Sequence, residues 1–196
     1  MATIKREITY FSPPGPNNTG KVLALARERV VSLGLRSVLV ATTSGQTGLQ
    51  AAELFRGYNL IAVTHCAGYR QPNTQEAPPE TLDAIRAAGG TVLTTQHAFG
   101  GVGRAVRIKL GTYQLDEIVA YTLRMLGEGL KVAMEITVMA ADAGLVAAGE
   151  DVMTISGTGR GADTAVIVRA SNAMRFFDQS VVEIVCMAGG HAGTAV

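Results

Sequence analysis

The segment Val38-Leu-Val-Ala-Thr-Thr-Ser-Gly-Gln-Thr47 constrains the fold more than any other part of the chain. An uninterrupted aliphatic run suits a strand buried on both faces, the way parallel strands read. The run stops at hydroxyl and amide side chains around one glycine, and a helical pattern, Gly48-Leu-Gln-Ala-Ala-Glu-Leu-Phe55, follows directly. Free backbone N–H groups and the positive end of the dipole make such a helix start attractive to an anion. Thr43, Ser44, Gln46 and Thr47 add donors, and Gly45 lets the backbone approach closely. The lysine of a nucleotide-triphosphate loop is missing. The competing explanation is that Ser44 only caps the helix, as serine does whatever the function.

The rest of the chain repeats this alternation. Ile8–Phe11 reads as a short strand stopped by Ser12-Pro-Pro-Gly-Pro16, followed by a helix capped at Asn18 or Thr19 and closed by Gly34. Leu60–Thr64 and Thr91–Thr95 are further apolar strands, with a helix from Pro78 to Gly89 between them. A helix around Leu115–Leu126 precedes Val132–Val138, which reads as a strand passing into a helical Met139–Ala147. Val152–Ser156 and Thr164–Val168 are separated only by Gly157–Asp163, too short for a helical crossover, so they form an antiparallel hairpin. Val182–Cys186 adds a strand, and His191–Val196 reads as a mobile tail. The expectation is a single α/β domain over residues 1–196, three-layered, with a mostly parallel sheet and an antiparallel C-terminal hairpin.

With a formal charge of +1 and no basic run, nucleic acid is not an expected partner. No stretch is apolar for long enough to span a bilayer, and the first residues lack the apolar region of a signal peptide. Cys66 and Cys186 read as thiols in a reducing cytoplasm. Neither they nor the histidines have metal-ligand spacing. The composition leaves a homo-oligomer open.

Ligands of open α/β sheets bind beyond the carboxyl ends of the strands. Four loops end strands here: Thr43–Thr47, Thr64–Tyr69, His97–Arg104 and Thr137–Asp142. His65 and His97 directly follow strands, as donors or proton carriers or as ordinary hydrogen-bonded residues. Gly157-Thr-Gly-Arg-Gly161 can bring backbone and Arg160 close to a ligand, or simply make a turn. Glu135 interrupts an apolar run, and a buried carboxylate needs an arginine, a backbone nest or a ligand facing it.

The order of these pieces resembles the C-terminal domain of pyruvate kinase, with Thr43-Ser-Gly-Gln-Thr47 at the effector-phosphate loop, Ile61-Ala-Val-Thr64 ending the next strand and Gly157–Asp163 at the last hairpin. The kinase's catalytic barrel is not expected in this chain. Glu135-Ile-Thr-Val-Met-Ala-Ala-Asp142, Arg160-Gly-Ala-Asp-Thr-Ala165 and Phe176-Phe-Asp178 resemble stand-alone proteins of this domain type. That resemblance implies a flavin mononucleotide ligand. It points to Thr43, Ser44, Gly45, Gln46, Thr47, Thr64, His65, Glu135, Thr137, Gly159, Arg160, Gly161, Asp163 and Thr164 as its contacts. The implied function is a cytoplasmic flavin-binding protein, either a flavin-dependent oxidoreductase or a non-catalytic sensor of a phosphate-bearing effector.

Overall fold

A computed structural model describes residues 3–189, so the expected tail at 191–196 lies outside the described residues. The strands are β1 (Thr9–Phe11), β2 (Ser37–Ala41), β3 (Asn59–Val63), β4 (Thr91–Leu93), β5 (Asp151–Ser156), β6 (Thr164–Arg169) and β7 (Ser180–Ala188). The α-helices are α1 (Thr19–Leu33), α2 (Gln46–Leu54), α3 (Pro79–Ala87), α4 (Val102–Leu110), α5 (Leu115–Arg124) and α6 (Glu128–Asp142). One seven-stranded sheet has the order β1-β7-β6-β5-β2-β3-β4. β2, β3, β4 and β5 are parallel, as are β1 and β7, while β6 runs antiparallel to both of its neighbours.

Period-two alternation sorts each strand's residues between two cores. Val38 and Val40 of β2, Leu60 and Ala62 of β3, and Met153 and Ile155 of β5 meet α1–α3 on one face. Leu39, Ile61 and Val152 point the other way, onto Leu130, Ala133, Ile136 and Ala140 of α6. Both faces of the central strands are therefore covered, which is why they read as continuous apolar runs. No helix among the described residues is long and apolar enough to cross a membrane.

Two elements differ from expectation. The segment Val132–Val138 is not a strand but the middle of α6. Twelve of the fifteen residues of α6 are buried, because it lies between the sheet and α5. A helix buried on every side has no polar stripe, so periodicity cannot separate it from a buried strand. The second is α4, which begins two residues into a glycine-rich segment that reads as loop.

The β5–β6 hairpin is tied to the amino-terminal segment by Asp163, which is fully buried. Its carboxylate accepts the N–H groups of Gly15 and Thr158, each at 3.1 Å, and the Thr164 hydroxyl at 2.9 Å. Thr19 accepts the Ala162 N–H at 2.9 Å and donates to the Pro16 carbonyl at 2.7 Å. Gly161 sits in this seam at φ 68°, where a β-carbon would lie 2.4 Å from the Pro16 Cα. Gly159, at φ 81°, faces open space. Gly161→Ala should therefore destabilise by several kcal/mol, because strain and overlap add, and Gly159→Ala by only about 1 kcal/mol. Urea unfolding of both variants checks this; equal midpoints would mean that the seam carries no stability.

Candidate functional site

The chain winds β2, β3 and β4 outward on one side of β2, then returns so that β5 lies on its other side. A cleft of about 480 Å³ opens at this reversal, beyond the carboxyl ends of β2, β3 and β5. Its first wall is the start of α2. Gly45 precedes that helix in the left-handed region at φ 85°, and a β-carbon there would come within 2.5 Å of the Thr81 side chain. Thr42 accepts the Gly48 N–H at 3.2 Å, satisfying one free donor of the first turn. Thr47 lines the cleft, is only 8% exposed, and makes no side-chain hydrogen bond among the described residues. The Thr47 hydroxyl is not among the buried unpartnered atoms, so it opens onto the cleft, where a ligand or water can meet it. Thr43 and Ser44 line the cleft beside it. Gly45 and Gln46 shape the turn without lining it.

Opposite stands a wall of rings. His65 and Tyr69 have centroids 4.1 Å apart, and Tyr69 stacks on His97 at 5.1 Å and 22°. The His65 Nδ1 contacts the Glu76 carboxylate, which also pairs with Arg70 at 2.8 Å. With Nδ1–H donated to Glu76, the His65 Nε2 is left as an acceptor, 3.5 Å from the Thr43 hydroxyl. A carboxylate, an imidazole and a hydroxyl in that order can relay a proton at the cleft wall. Thr64 lines the same wall, but its hydroxyl is held by Thr94 at 2.7 Å and by the His65 carbonyl at 3.0 Å.

The floor is α6. Glu135 does find donors, though not Arg160: the Phe99 N–H at 3.0 Å and the Lys131 ammonium at 2.5 Å. Both members of that pair are about 95% buried and line the cleft. His97 lies above them, its Nδ1 3.8 Å from Glu135. Its Nε2 accepts the Cys66 N–H at 3.4 Å. Burial lowers its pKa to about 4, and His65, Lys131 and Arg104 push the same way against the opposing Glu135 carboxylate. The ring is therefore neutral at pH 7, with its proton on Nδ1.

The hairpin supplies the last wall through Gly159, Arg160 and Gly161. Five cations and three carboxylates line the cleft. Glu76, Glu128 and Glu135 are paired with Arg70, Arg124 and Lys131, which leaves Arg104 and Arg160 with no carboxylate in ion-pair range among the described residues. This surplus favours an anion. Thr137, Asp163 and Thr164 lie away from the cleft. Thr137 is fully buried and bonds the Ala133 carbonyl and Thr154, while the other two belong to the hairpin seam. Sequence reasoning missed Lys131 and Glu76, and reached Arg104 only as the end of the candidate loop His97–Arg104. Lys131 is four residues before Glu135, a spacing that signals a pair only once the segment is read as helix. Among the described residues no cluster of metal-ligating side chains occurs.

Two predictions follow from the floor. Glu135→Gln should destabilise by about 3–5 kcal/mol, since it strands the Lys131 ammonium in the interior. The double variant with Lys131→Met should recover most of that loss in denaturant unfolding; a single variant as stable as wild type would show the pair to be solvated. For His97, the unfolded ring titrates near 6.5 and the folded ring near 4. Between those values the unfolded chain binds more protons, so stability is full above pH 6.5 and falls as pH drops toward 4. His97→Asn should flatten that part of the stability–pH curve, and an unchanged slope would assign it to other groups.

Three solved structures of pyruvate kinase from Cryptosporidium parvum, one in complex with ADP, are similar to this chain at 15%, 14% and 14% identity. The likeness covers 77%, 76% and 76% of this chain, with TM-scores of 0.43, 0.40 and 0.38. The chain spans 23%, 23% and 22% of the length of those proteins. Residues 20–168, most of the sequence and all but two strands of the sheet, match the family described as pyruvate kinase, alpha/beta domain, and the chain belongs to that family.

Proposed function

We propose that the cleft binds a phosphate-bearing small molecule, and that this ligand is flavin mononucleotide. The observation that carries the phosphate is the Thr47 hydroxyl: open to the cleft on an otherwise buried residue, without a hydrogen-bond partner among the described residues, and set in the first turn of α2. Ser44 and Arg160, the latter without a carboxylate in ion-pair range among the described residues, line the same cleft and add donors to those of the turn. A planar ring suits the opposite wall, which is lined by Tyr69 and the two imidazoles packed on one another, with the Arg104 guanidinium 5.2 Å from the Tyr69 ring. The cleft volume is within the roughly 300–1,000 Å³ common for small-molecule sites.

When bound, a flavin supplies redox chemistry of its own. The chain's residues then bind, orient and manage protons. The α2 turn and Arg160 hold the phosphate; His65, fixed by Glu76, keeps a basic nitrogen at the cleft wall; His97 stays neutral, so its proton remains on Nδ1. This proton relay beside the ring wall favours an oxidoreductase. The alternative is a non-catalytic sensor of the phosphate ligand, which Arg160, without an ion-pair partner among the described residues and on a loop of three glycines, favours, because such a loop can settle onto an effector.

Titration with flavin mononucleotide and with riboflavin, followed by flavin fluorescence, tests the ligand. The phosphorylated form should bind more tightly, and Thr47→Ala should cost about 1–3 kcal/mol of that affinity, the usual loss for a hydrogen bond to a charged group. Equal binding of the two flavins would sink the phosphate site. Anaerobic reduction of the bound flavin by a nicotinamide donor, with turnover, separates the oxidoreductase from the sensor.

A further inference from the structure

A second cavity lies beyond the carboxyl ends of β3 and β4, a groove of about 650 Å³. The loops that follow those two strands make one side of it, and α4 makes the other. Val102, Ala105 and Ile108 line it from the helix, and the two larger residues are 69% and 74% exposed. Tyr69, His97 and Arg104 line both this groove and the cleft, and so form a partition between them. α4 is nine residues long, buries none of them and rests on α5. A helix that short is marginal by itself in water, so apolar residues along an open groove are a feature that needs a reason.

The charge of the groove is simple. Among the described residues Arg104 is its one charged side chain, since burial keeps His97 neutral at pH 7, and no carboxylate lines it. Arg107 of the same helix holds Glu117 at 2.9 Å, whereas Arg104 has no carboxylate in ion-pair range among the described residues. Its guanidinium is placed nonetheless. It lies 5.2 Å from the Tyr69 ring, and a β-carbon on Gly100 would come 2.7 Å from one of its nitrogens, so the glycine leaves the space that the guanidinium fills. A positioned guanidinium without an anion of its own matches a carboxylate, which it can meet with two parallel hydrogen bonds. The apolar residues of α4 beside it match an uncharged body. One cation is too few for a nucleic acid or an anionic membrane.

We propose that this groove is a second binding site, for a small monocarboxylate with an apolar body. The carboxylate sits on Arg104, and the body lies along Val102, Ala105 and Ile108, covering apolar surface that α4 otherwise leaves in water. The site does not depend on what the cleft holds.

Hexanoate is the probe, added to the isotopically labelled chain without flavin, so the outcome is separate from that of the flavin titration. Saturable amide shifts should centre on Gly100–Ile108. Hexanamide should bind about tenfold more weakly, because the charge-assisted hydrogen bonds are lost. Acetate should also bind more weakly, because it lacks the apolar body. Ile108→Glu places a carboxylate one turn from Arg104 and closes the guanidinium in an i,i+4 pair. That variant should lose the hexanoate shifts while circular dichroism shows a folded domain, and Val31→Glu, at an exposed position of α1, should bind as wild type does. Arg104→Gln should reduce hexanoate to the affinity of hexanamide, and serves if Ile108→Glu does not fold. Absence of saturable shifts at millimolar hexanoate overturns the proposal, as do shifts centred on Ser44–Thr47 or equal affinity for hexanoate and hexanamide. So does a folded Ile108→Glu or Arg104→Gln variant that binds hexanoate as tightly as wild type.

Discussion

Burial of β2 on both faces is the constraint on which the rest of this molecule depends. Val38 and Val40 need α1–α3 on one side of the sheet, and Leu39 needs α6 on the other. β3 and β5 must flank the strand to satisfy its backbone. Because β3 leads outward to β4 while β5 belongs to the returning half of the chain, loops from both halves meet where β2 ends. The cleft follows from that reversal. Its polar groups cluster there because a strand closed on every side can release hydroxyls, histidines and glycines only at its end.

The interior of the cleft has a second dependency, the Lys131–Glu135 pair. Two charges about 95% buried would be costly apart. Together, and with the Phe99 N–H on the free carboxylate oxygen, they form a floor that is nearly neutral and hydrogen-bonded. Burial above that floor keeps His97 unprotonated against the pull of the carboxylate. Among the described residues, the positive surplus of the cleft then comes from Arg104 beside the ring wall and Arg160 on the hairpin. Positioning groups and binding groups are thus different residues.

Much of this was legible in the sequence, and the failures have physical causes. β2, β3, α1 and α2 carry local marks: an apolar run that stops, a cap, a glycine in the left-handed region at Gly34. The loop at Thr43–Thr47 and the hairpin at Gly157–Asp163 were visible for the same reason, since strand ends and close-approach glycines are local events. α6 was misread because burial on all sides erases the helical stripe. α4 was hidden because Gly100, Gly101 and Gly103 read as loop. In the fold each is a close contact, and a β-carbon on Gly103 would meet the Asp116 carboxylate at 2.1 Å. Glu76 and Arg104 reach the cleft only through tertiary folding, and no spacing announces such partners. Asp163 and Thr137 carried polar labels at a strand end and in a loop by expectation, but their hydrogen bonds are spent on the scaffold.

The central claim is that the first turn of α2 and the hairpin tip hold a phosphate. Amide resonances of the isotopically labelled chain, followed during addition of flavin mononucleotide, test it most directly. The account predicts saturable shifts concentrated at Ser44–Thr47 and Gly159–Gly161, with smaller ones at His65 and Tyr69. Shifts confined to other surfaces, or none at saturating ligand, would contradict it.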